Sequence, residues 1–377
     1  MIRLQFILAC LIIIVGVGCK EVYKPDIISA SDNFLVVEGV LNAGTGPTEL
    51  RLTRTFKLDD SARLRGELNA VVVVEGKDNS VKPLTSTGNG FYASPGLNLT
   101  INQEYRVRIN TSDGKEYVSD YVVATQTPAI DSLGWTRNED GVTIHVNTHD
   151  PTGNTRYYRW NYDETWEIRT FYFSEFMYID SVVYPRTVSD YVSTCWKYGF
   201  SHQILIGSSA SLGTDNIYRA RLGFFANGDE RLAIRYSALV RQYALDKAGY
   251  EFYELMRKNT ESLGSIFDAQ PSEQRGNFHC VTNPGELVIG YLSAVTIEEK
   301  RMFIASHELP FWRFIEDCPE VLVKNDVDSI QEAYNSGGSI YSAVYDNFGN
   351  ISHYKMARQV CVECPARGGS LIKPSYW

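Results

Sequence analysis

The sequence lacks a long hydrophobic run, a basic cluster and a low-complexity segment. Its most apolar stretch, Leu4 to Val17, covers about 14 residues, whereas a helix needs roughly 20 to cross a bilayer. Aspartate and glutamate total 45 against 36 lysines and arginines, so the net charge is −9 at pH 7. An acidic chain without a basic patch is poorly suited to nucleic acid. We therefore expect no nucleic-acid partner.

Motifs for catalysis are also missing. No HExxH sequence occurs, and the serine-rich IGSSASLG at 206–213 lacks the glycine that completes a nucleophile elbow. His145 and His149 are four residues apart, but their segment alternates like a strand, in which four residues span about 13 Å. The two rings could not share one ion there, so we interpret them as surface imidazoles. We expect no cofactor, no metal and no enzymatic activity.

The N-terminus has the three parts of an export signal. Arg3 is followed by the apolar stretch, and the small residues Gly16-Val17-Gly18 directly precede Cys19. This arrangement resembles a bacterial lipobox, in which the signal is removed and the cysteine receives acyl chains. We predict a signal peptide over 1–18, lipidation of Cys19 and a tether over 19–33. An uncleaved membrane anchor is the alternative. Cleavage would remove one basic residue and leave the chain more acidic.

Five further cysteines belong to the exported chain: Cys195, Cys280, Cys318, Cys361 and Cys364. Disulfides persist outside the cytoplasm, and an odd number leaves at least one thiol unpaired. The spacing Cys361-Val-Glu-Cys364 would also suit a thioredoxin-like pair or half of a zinc site. Pro365 follows instead of a helix, and no second ligand pair has matching spacing. We predict structural disulfides, with Cys318 bonded to one cysteine of the pair and Cys195 or Cys280 to the other.

The patterning is mostly β. Six or seven short strands between 34 and 127, including the unbroken Val71–Val74 run and an Asp113-Gly114 hairpin turn, predict an immunoglobulin-like β-sandwich. A linker near Pro128 leads to a second, larger β-rich domain over 128–377. One inserted α-helix is predicted near 246–260, where Asp246 can cap the N-terminus and apolar residues recur at helical spacing. The apolar residues are Ala248, Phe252 and Leu255.

Aromatic residues are unusually dense between 163 and 190, in a pattern that fits neither a clean helix nor one strand. We predict an insertion or a long hairpin there. If exposed, its rings would form a surface for a partner or ligand; otherwise they belong to a core. The candidate surface residues are Trp166, Phe171, Phe173, Phe176 and Tyr178.

Several motifs occur in an order that resembles one uncharacterised lipoprotein family, numbered four-two-four-nine among domains of unknown function. After the lipobox come VVEG (36–39), DSL (131–133), DPTGNTRYYRW (150–160), Cys195-Trp196, RQYALDKAGYEFYELMRKN (241–259), FDAQPSEQRGN (267–277), NPGELVIGYLSA (283–294) and CVECPARGGSLIKPSYW (361–377). The resemblance covers nearly the whole exported chain. Ser375-Tyr376 departs from the Asp and Phe that often precede the final Trp in this family.

The resemblance implies an outer-membrane lipoprotein of Bacteroidota, from a family whose genes often lie near TonB-dependent transporters. No activity is established for the family, so no catalytic residues carry over. We expect an accessory or ligand-capturing partner of such a transporter, with ligand and membrane leaflet unspecified. Two alternatives fit the residues: a structural or adhesive envelope protein without a small ligand, and a hydrolase on a β scaffold. A packed hairpin at 163–190 would favour the structural or adhesive protein. Clustered carboxylates or a Ser-His pair in a cleft would favour the hydrolase.

Overall fold

The computed structural model describes residues 33–55, 65–261 and 275–377. Strands predominate in these ranges, which confirms the predicted mostly β fold. They build two sandwich-like units and a smaller third sheet. The predicted signal peptide, Cys19 and nearly all of the tether lie outside the described residues. Among the helices that the structure does describe, none is long and apolar enough to cross a membrane.

The first sandwich is formed mainly by residues 35–123. Its strands are β1 (Leu35–Asn42), β2 (Thr48–Arg54), β3 (Arg65–Gly66), β4 (Val71–Gly76), β5 (Val81–Gly88), β6 (Phe91–Ser94), β7 (Glu104–Asn110), β8 (Glu116–Ser119) and β9 (Val122–Val123). Strand β5 pairs with β4 through its first half and with β6 through its second half. The sheet therefore folds over a core of Leu, Val and Tyr side chains. Gly114 has φ 82° in the predicted turn between β7 and β8.

Three short strands from much later in the chain complete this sandwich. They are β19 (Phe278–Cys280), β20 (Val288–Ile289) and β21 (Ala294–Val295). Strand β19 pairs with β8, while β20 and β21 run parallel to β1. Their apolar side chains enter the first core, and Glu286 accepts hydrogen bonds from Lys115 (2.7 Å) and Tyr117 (2.7 Å). A segment that the sequence assigned to the second domain thus belongs structurally to the first.

The second sandwich packs two antiparallel sheets face to face. One has the order β10-β11-β17, from β10 (Ile130–Arg137), β11 (Gly141–His149) and β17 (Asn216–Ala226). The other has the order β15-β12-β18-β22, with β16 also on β12, from β12 (Tyr157–Arg169), β15 (Thr194–Phe200), β16 (Leu205–Ser208), β18 (Arg235–Leu245) and β22 (Glu298–Ala305). Tyr158, Trp160 and Tyr162 alternate into the core between them.

The predicted helix is present as α1 (Lys247–Glu261). Asp246 caps it, since its carboxylate accepts the Gly249 N–H at 2.7 Å. The buried face contains Phe252 and Tyr253, whereas Ala248 is exposed. The helix is therefore rotated relative to the expected Ala248-Phe252-Leu255 face.

A third, smaller sheet has the order β23-β25-β24. Its strands are β23 (Val321–Lys324), β24 (Gly338–Tyr345) and β25 (Ile351–Arg358), accompanied by α2 (Val327–Asn335), α3 (Gln359–Val362) and the hairpin β13 (Phe176–Ile179)–β14 (Val182–Pro185). Helix α2 lies where the sequence was polar and weakly patterned, and Asp326 caps it by accepting the Ser329 N–H at 2.9 Å. Short 3-10 turns lie at Val188–Asp190, Glu230–Leu232, Ser306–Glu308 and Cys364–Arg367.

Candidate functional site

One disulfide lies within the third unit, and the other joins that unit to the second sandwich. Cys318 is bonded to Cys361, and Cys195 of β15 is bonded to Cys364. Cys318 was expected to bond to one of Cys361 and Cys364, and Cys195 or Cys280 to the other. Both bonds agree with this expectation, with Cys195 as the second partner. Cys280, the alternative partner, is a buried thiol in the first core. Glu316 lies within ligand distance of the Cys318 and Cys361 sulfurs, but the disulfide leaves no thiolate there for a metal.

The aromatic segment divides into packed and exposed residues. Phe176 and Tyr178 pack against the third sheet and α2, where their rings contact Tyr354 and Tyr334. Trp166 is partly buried against the second core. Only Phe171 and Phe173 of the candidate surface are strongly exposed, at 62% and 50%. The segment thus consists of the end of β12 and the short hairpin β13–β14, with three of the candidate residues partly buried and two exposed.

The two histidines lie on strand β11, as predicted, but they differ in environment. His149 is exposed, with Nδ1 2.8 Å from the Asp131 carboxylate, and this hydrogen bond raises its pKa. His145 is only 7% exposed, so its interpretation as a surface imidazole is wrong. Gly134 on the paired strand β10 leaves the space that the ring fills. Burial, together with the Arg219 charge, lowers the pKa of His145.

A large cleft lies between the two sandwiches, where two chain segments cross from one to the other. The linker 124–129 and the return segment 290–297 run side by side. Thr125 N–H donates to Ala294 O (2.9 Å), and Thr296 N–H donates to Thr125 O (3.1 Å). Thr127 N–H donates to the Thr296 hydroxyl, and the Thr127 hydroxyl accepts from the Ala244 N–H. This double connection fixes the two walls of the cleft relative to each other.

A buried amide secures the linker to the second sandwich. Gln242 of β18 is fully buried. It accepts from the Trp160 indole at 2.7 Å and donates to Pro128 O at 2.7 Å and to the Thr148 hydroxyl at 2.9 Å. The Thr148 hydroxyl also donates to Ala129 O at 2.9 Å, so the groups whose satisfaction depends on this one side chain are the Trp160 indole and the Pro128 carbonyl.

The cleft has a volume of about 1330 Å³. Its walls come from β8–β9 of the first sandwich, the turn at 150–155, the N-terminal half of α1 and both crossing segments. Three aromatic side chains contribute to the lining: Tyr121, Phe252 and Tyr291. Among the described residues, the basic groups that line it are Arg275 and His149. Six carboxylates also line it: Asp120, Asp131, Asp150, Asp246, Glu251 and Glu298.

Most of these carboxylates already have partners. Asp246 accepts the Tyr291 hydroxyl at 2.7 Å in addition to capping α1, and this bond and burial raise the pKa of Tyr291. Burial opposes ionisation of Asp150, but hydrogen bonds from Thr152 and Thr155 outweigh it and lower the Asp150 pKa to about 2. Glu298, at the start of β22, has no hydrogen-bond or ion-pair partner within the described ranges, and burial raises its pKa.

The turn at 150–155 is held rigidly beside the cleft. Asp215 is buried beneath it and accepts the Asp150 N–H at 2.6 Å, as well as the hydroxyls of Tyr158 and Ser209. Ser209 is fully buried, so this hydroxyl–carboxylate pair is a structural support that substrate could not reach.

A smaller cavity of about 350 Å³ lies against the other side of α1 and shares Phe252 and Tyr291 with the cleft. Arg159 lines it, with its guanidinium over the rings of Tyr243 (4.6 Å) and Tyr253 (4.7 Å). The helix thus separates an acidic cleft from a cavity with one arginine.

Sequence reasoning did not identify the cleft. Its lining comes from six separate stretches that only the crossing of the chain brings together. The one local signal is the DPTGN sequence after β11, whose proline and glycine predict a turn but not a site.

Comparison with curated proteins finds no match. Among solved structures, a crystal structure of a mutant Salmonella alpha-2-macroglobulin aligns at 9% identity with a TM-score of 0.18. That alignment covers 85% of this chain but only 16% of the other, and a score this low carries no argument. The profile of one family, described as domain of unknown function DUF4249, matches residues 20–301. The chain therefore belongs to the DUF4249 family.

Proposed function

We propose that this protein is a lipid-anchored envelope protein that captures a ligand in the inter-sandwich cleft as the accessory partner of a TonB-dependent outer-membrane transporter. The export signal and Cys19 support the anchor, and the resemblance described above supports the transporter. The single observation that carries ligand capture is the cleft itself.

The size and lining of the cleft set the class of ligand. Small-molecule pockets usually measure about 300–1,000 Å³, so 1330 Å³ accommodates a ligand larger than a single metabolite, such as a short peptide. The excess of carboxylates over basic groups favours a ligand with positive charge. Tyr121, Phe252 and Tyr291 provide apolar and aromatic surface for the rest of it.

Native mass spectrometry of the full-length protein, extracted from its own membranes in mild detergent, tests the capture. We expect a retained small molecule, and we expect Glu298→Lys to lose it because a cation is placed at the one unpartnered carboxylate. Glu332→Lys is the matched control, since it makes the same charge change on the exposed surface of α2. Equal retention by both variants would rule out the cleft as the site.

Affinity purification under the same conditions tests the partner. We expect an outer-membrane transporter to co-purify, and its identity gives the substrate class. Recovery of the protein alone, with its ligand, would refute the transporter partnership but leave ligand capture in place.

A further inference from the structure

The outward face of the β10-β11-β17 sheet has an unusual composition for an acidic protein. Strand β17 pairs only with β11 in the described chain, so it forms the edge of its sheet. Its inward side chains fill the second core. Its large exposed side chains are two aromatic residues and two arginines: Tyr218, Arg219, Arg221 and Phe224.

The two arginines have no acidic partner among the described residues. Elsewhere in the described chain many arginines pair with carboxylates, for example Arg241 with both Asp163 and Glu299 at 2.7 Å. The Arg219 and Arg221 guanidiniums instead lie over the rings of Tyr218 and Phe224, each at 5.3 Å. Two adjacent exposed cations therefore remain available in a chain with net charge −9.

A buried imidazole lies beneath this face. His145 on β11 is directly opposite Arg221 in the strand register. It is more than nine-tenths buried, and neither ring nitrogen has a hydrogen-bond partner among the described residues. The ring therefore supports the surface from below and does not itself contact a docked partner.

The geometry points to this face, defined by Tyr218, Arg219, Arg221 and Phe224, as a docking surface for an extended acidic segment of a partner protein. Tyr, Phe and Arg are the residue types that dominate binding energy at protein interfaces. They are spread over seven residues of β17, roughly 20 Å long, which matches an extended peptide of similar length.

Charge complementarity selects the occupant. A carboxylate can accept from a planar guanidinium through two parallel N–H bonds, and the neighbouring rings exclude water from that pair. The carboxylates at the ends of this sheet do not compete: Asp131 is bonded to His149, and Glu139 and Asp140 lie in the turn beyond Arg137. The surface is separate from the cleft and does not depend on the ligand-capture proposal.

Fluorescence anisotropy with the full-length protein in mild detergent tests the docking surface. The probe is a labelled eight-residue peptide of alternating glutamate and valine, compared with versions carrying glutamine or lysine in place of glutamate. We expect the acidic peptide to bind at least about tenfold more tightly than either comparison peptide. The double variant Arg219→Gln/Arg221→Gln should lose about the same factor, and Tyr218→Ala should also weaken binding.

The matched control is Arg313→Gln/Lys373→Gln, which removes two exposed cations outside this sheet and should leave the affinity unchanged. Circular dichroism verifies that each variant is folded. Equal binding by wild type and the Arg219/Arg221 variant overturns the proposal, as does a preference for an oligothymidylate over the acidic peptide. Displacement of the peptide by millimolar free glutamate would also overturn it, because a small-anion site would then explain the binding. Ligand retention in the cleft should be the same in all these variants.

Discussion

Replacement of Gln242 with leucine should destabilise the second sandwich. Leucine has similar volume but cannot accept from the Trp160 indole or donate to Pro128 O, and both groups are buried. A buried polar group left without a partner costs about 1–3 kcal/mol, so two such groups cost about 4 kcal/mol. Burial of the additional apolar carbon offsets about 1 kcal/mol of this. The free energy of unfolding should therefore fall by about 3 kcal/mol.

Urea denaturation followed by tryptophan fluorescence measures this change, since Trp160 lies in the affected core. With a slope of about 3 kcal/mol per molar urea, the midpoint should fall by about 1 M. Gln359→Leu is the matched control: its exposed amide bonds the Glu363 carboxylate, and its removal should change stability by less than about 0.5 kcal/mol. If Gln242→Leu shifted the midpoint no more than this control, the buried amide would not be what secures the linker.

Three further predictions concern covalent links and titration. Cys318→Ser should lower the free energy of unfolding by about 4 kcal/mol, because the Cys318–Cys361 bond closes a long loop in the unfolded chain. Denaturation with and without reductant checks this loss of stability. Identical denaturation curves would contradict the prediction. The raised His149 pKa makes its pair with Asp131 stabilising at low pH, and this contribution should vanish as pH rises through the folded-state pKa. Asp131→Asn should return that pKa towards 6.5 in an NMR titration, and an unchanged value would refute the pairing. Cys19→Ser should release the protein from membranes, and continued sedimentation with the outer membrane would show that the anchor lies elsewhere.

Local patterns predicted the elements whose environment is set by neighbours in sequence. The Asp113-Gly114 turn and the Asp246-capped helix follow from backbone sterics and capping, which need no tertiary information. An unbroken run such as Val71–Val74 is typical of a strand buried on both faces, and here that expectation is wrong. Val72 and Val74 are buried, but Val71 is 61% exposed, so the strand is covered on one face only. Residue type alone does not determine how many layers cover a sheet.

The candidate site was beyond reach of the sequence because it depends on pairing at long range. Gly134 and His145 lie on different strands, and only their register shows that the ring fills the space left by the glycine. Likewise, nothing near Glu298 indicates that it faces a linker almost 170 residues earlier. The aromatic segment 163–190 was recognised as unusual, but the third sheet that Phe176 and Tyr178 pack against had too weak a pattern to predict.

The late strands of the first sandwich impose an order on biogenesis. Residues 278–295 supply an edge strand on β8, two parallel partners for β1 and part of the core, so the first unit stays incomplete until almost four-fifths of the chain has been synthesised. Contacts this distant in sequence form slowly, and the unpaired edges of β1 and β8 remain open to aggregation meanwhile. Truncation before residue 278 should therefore abolish folding of the N-terminal sandwich as well as of the domain that follows it.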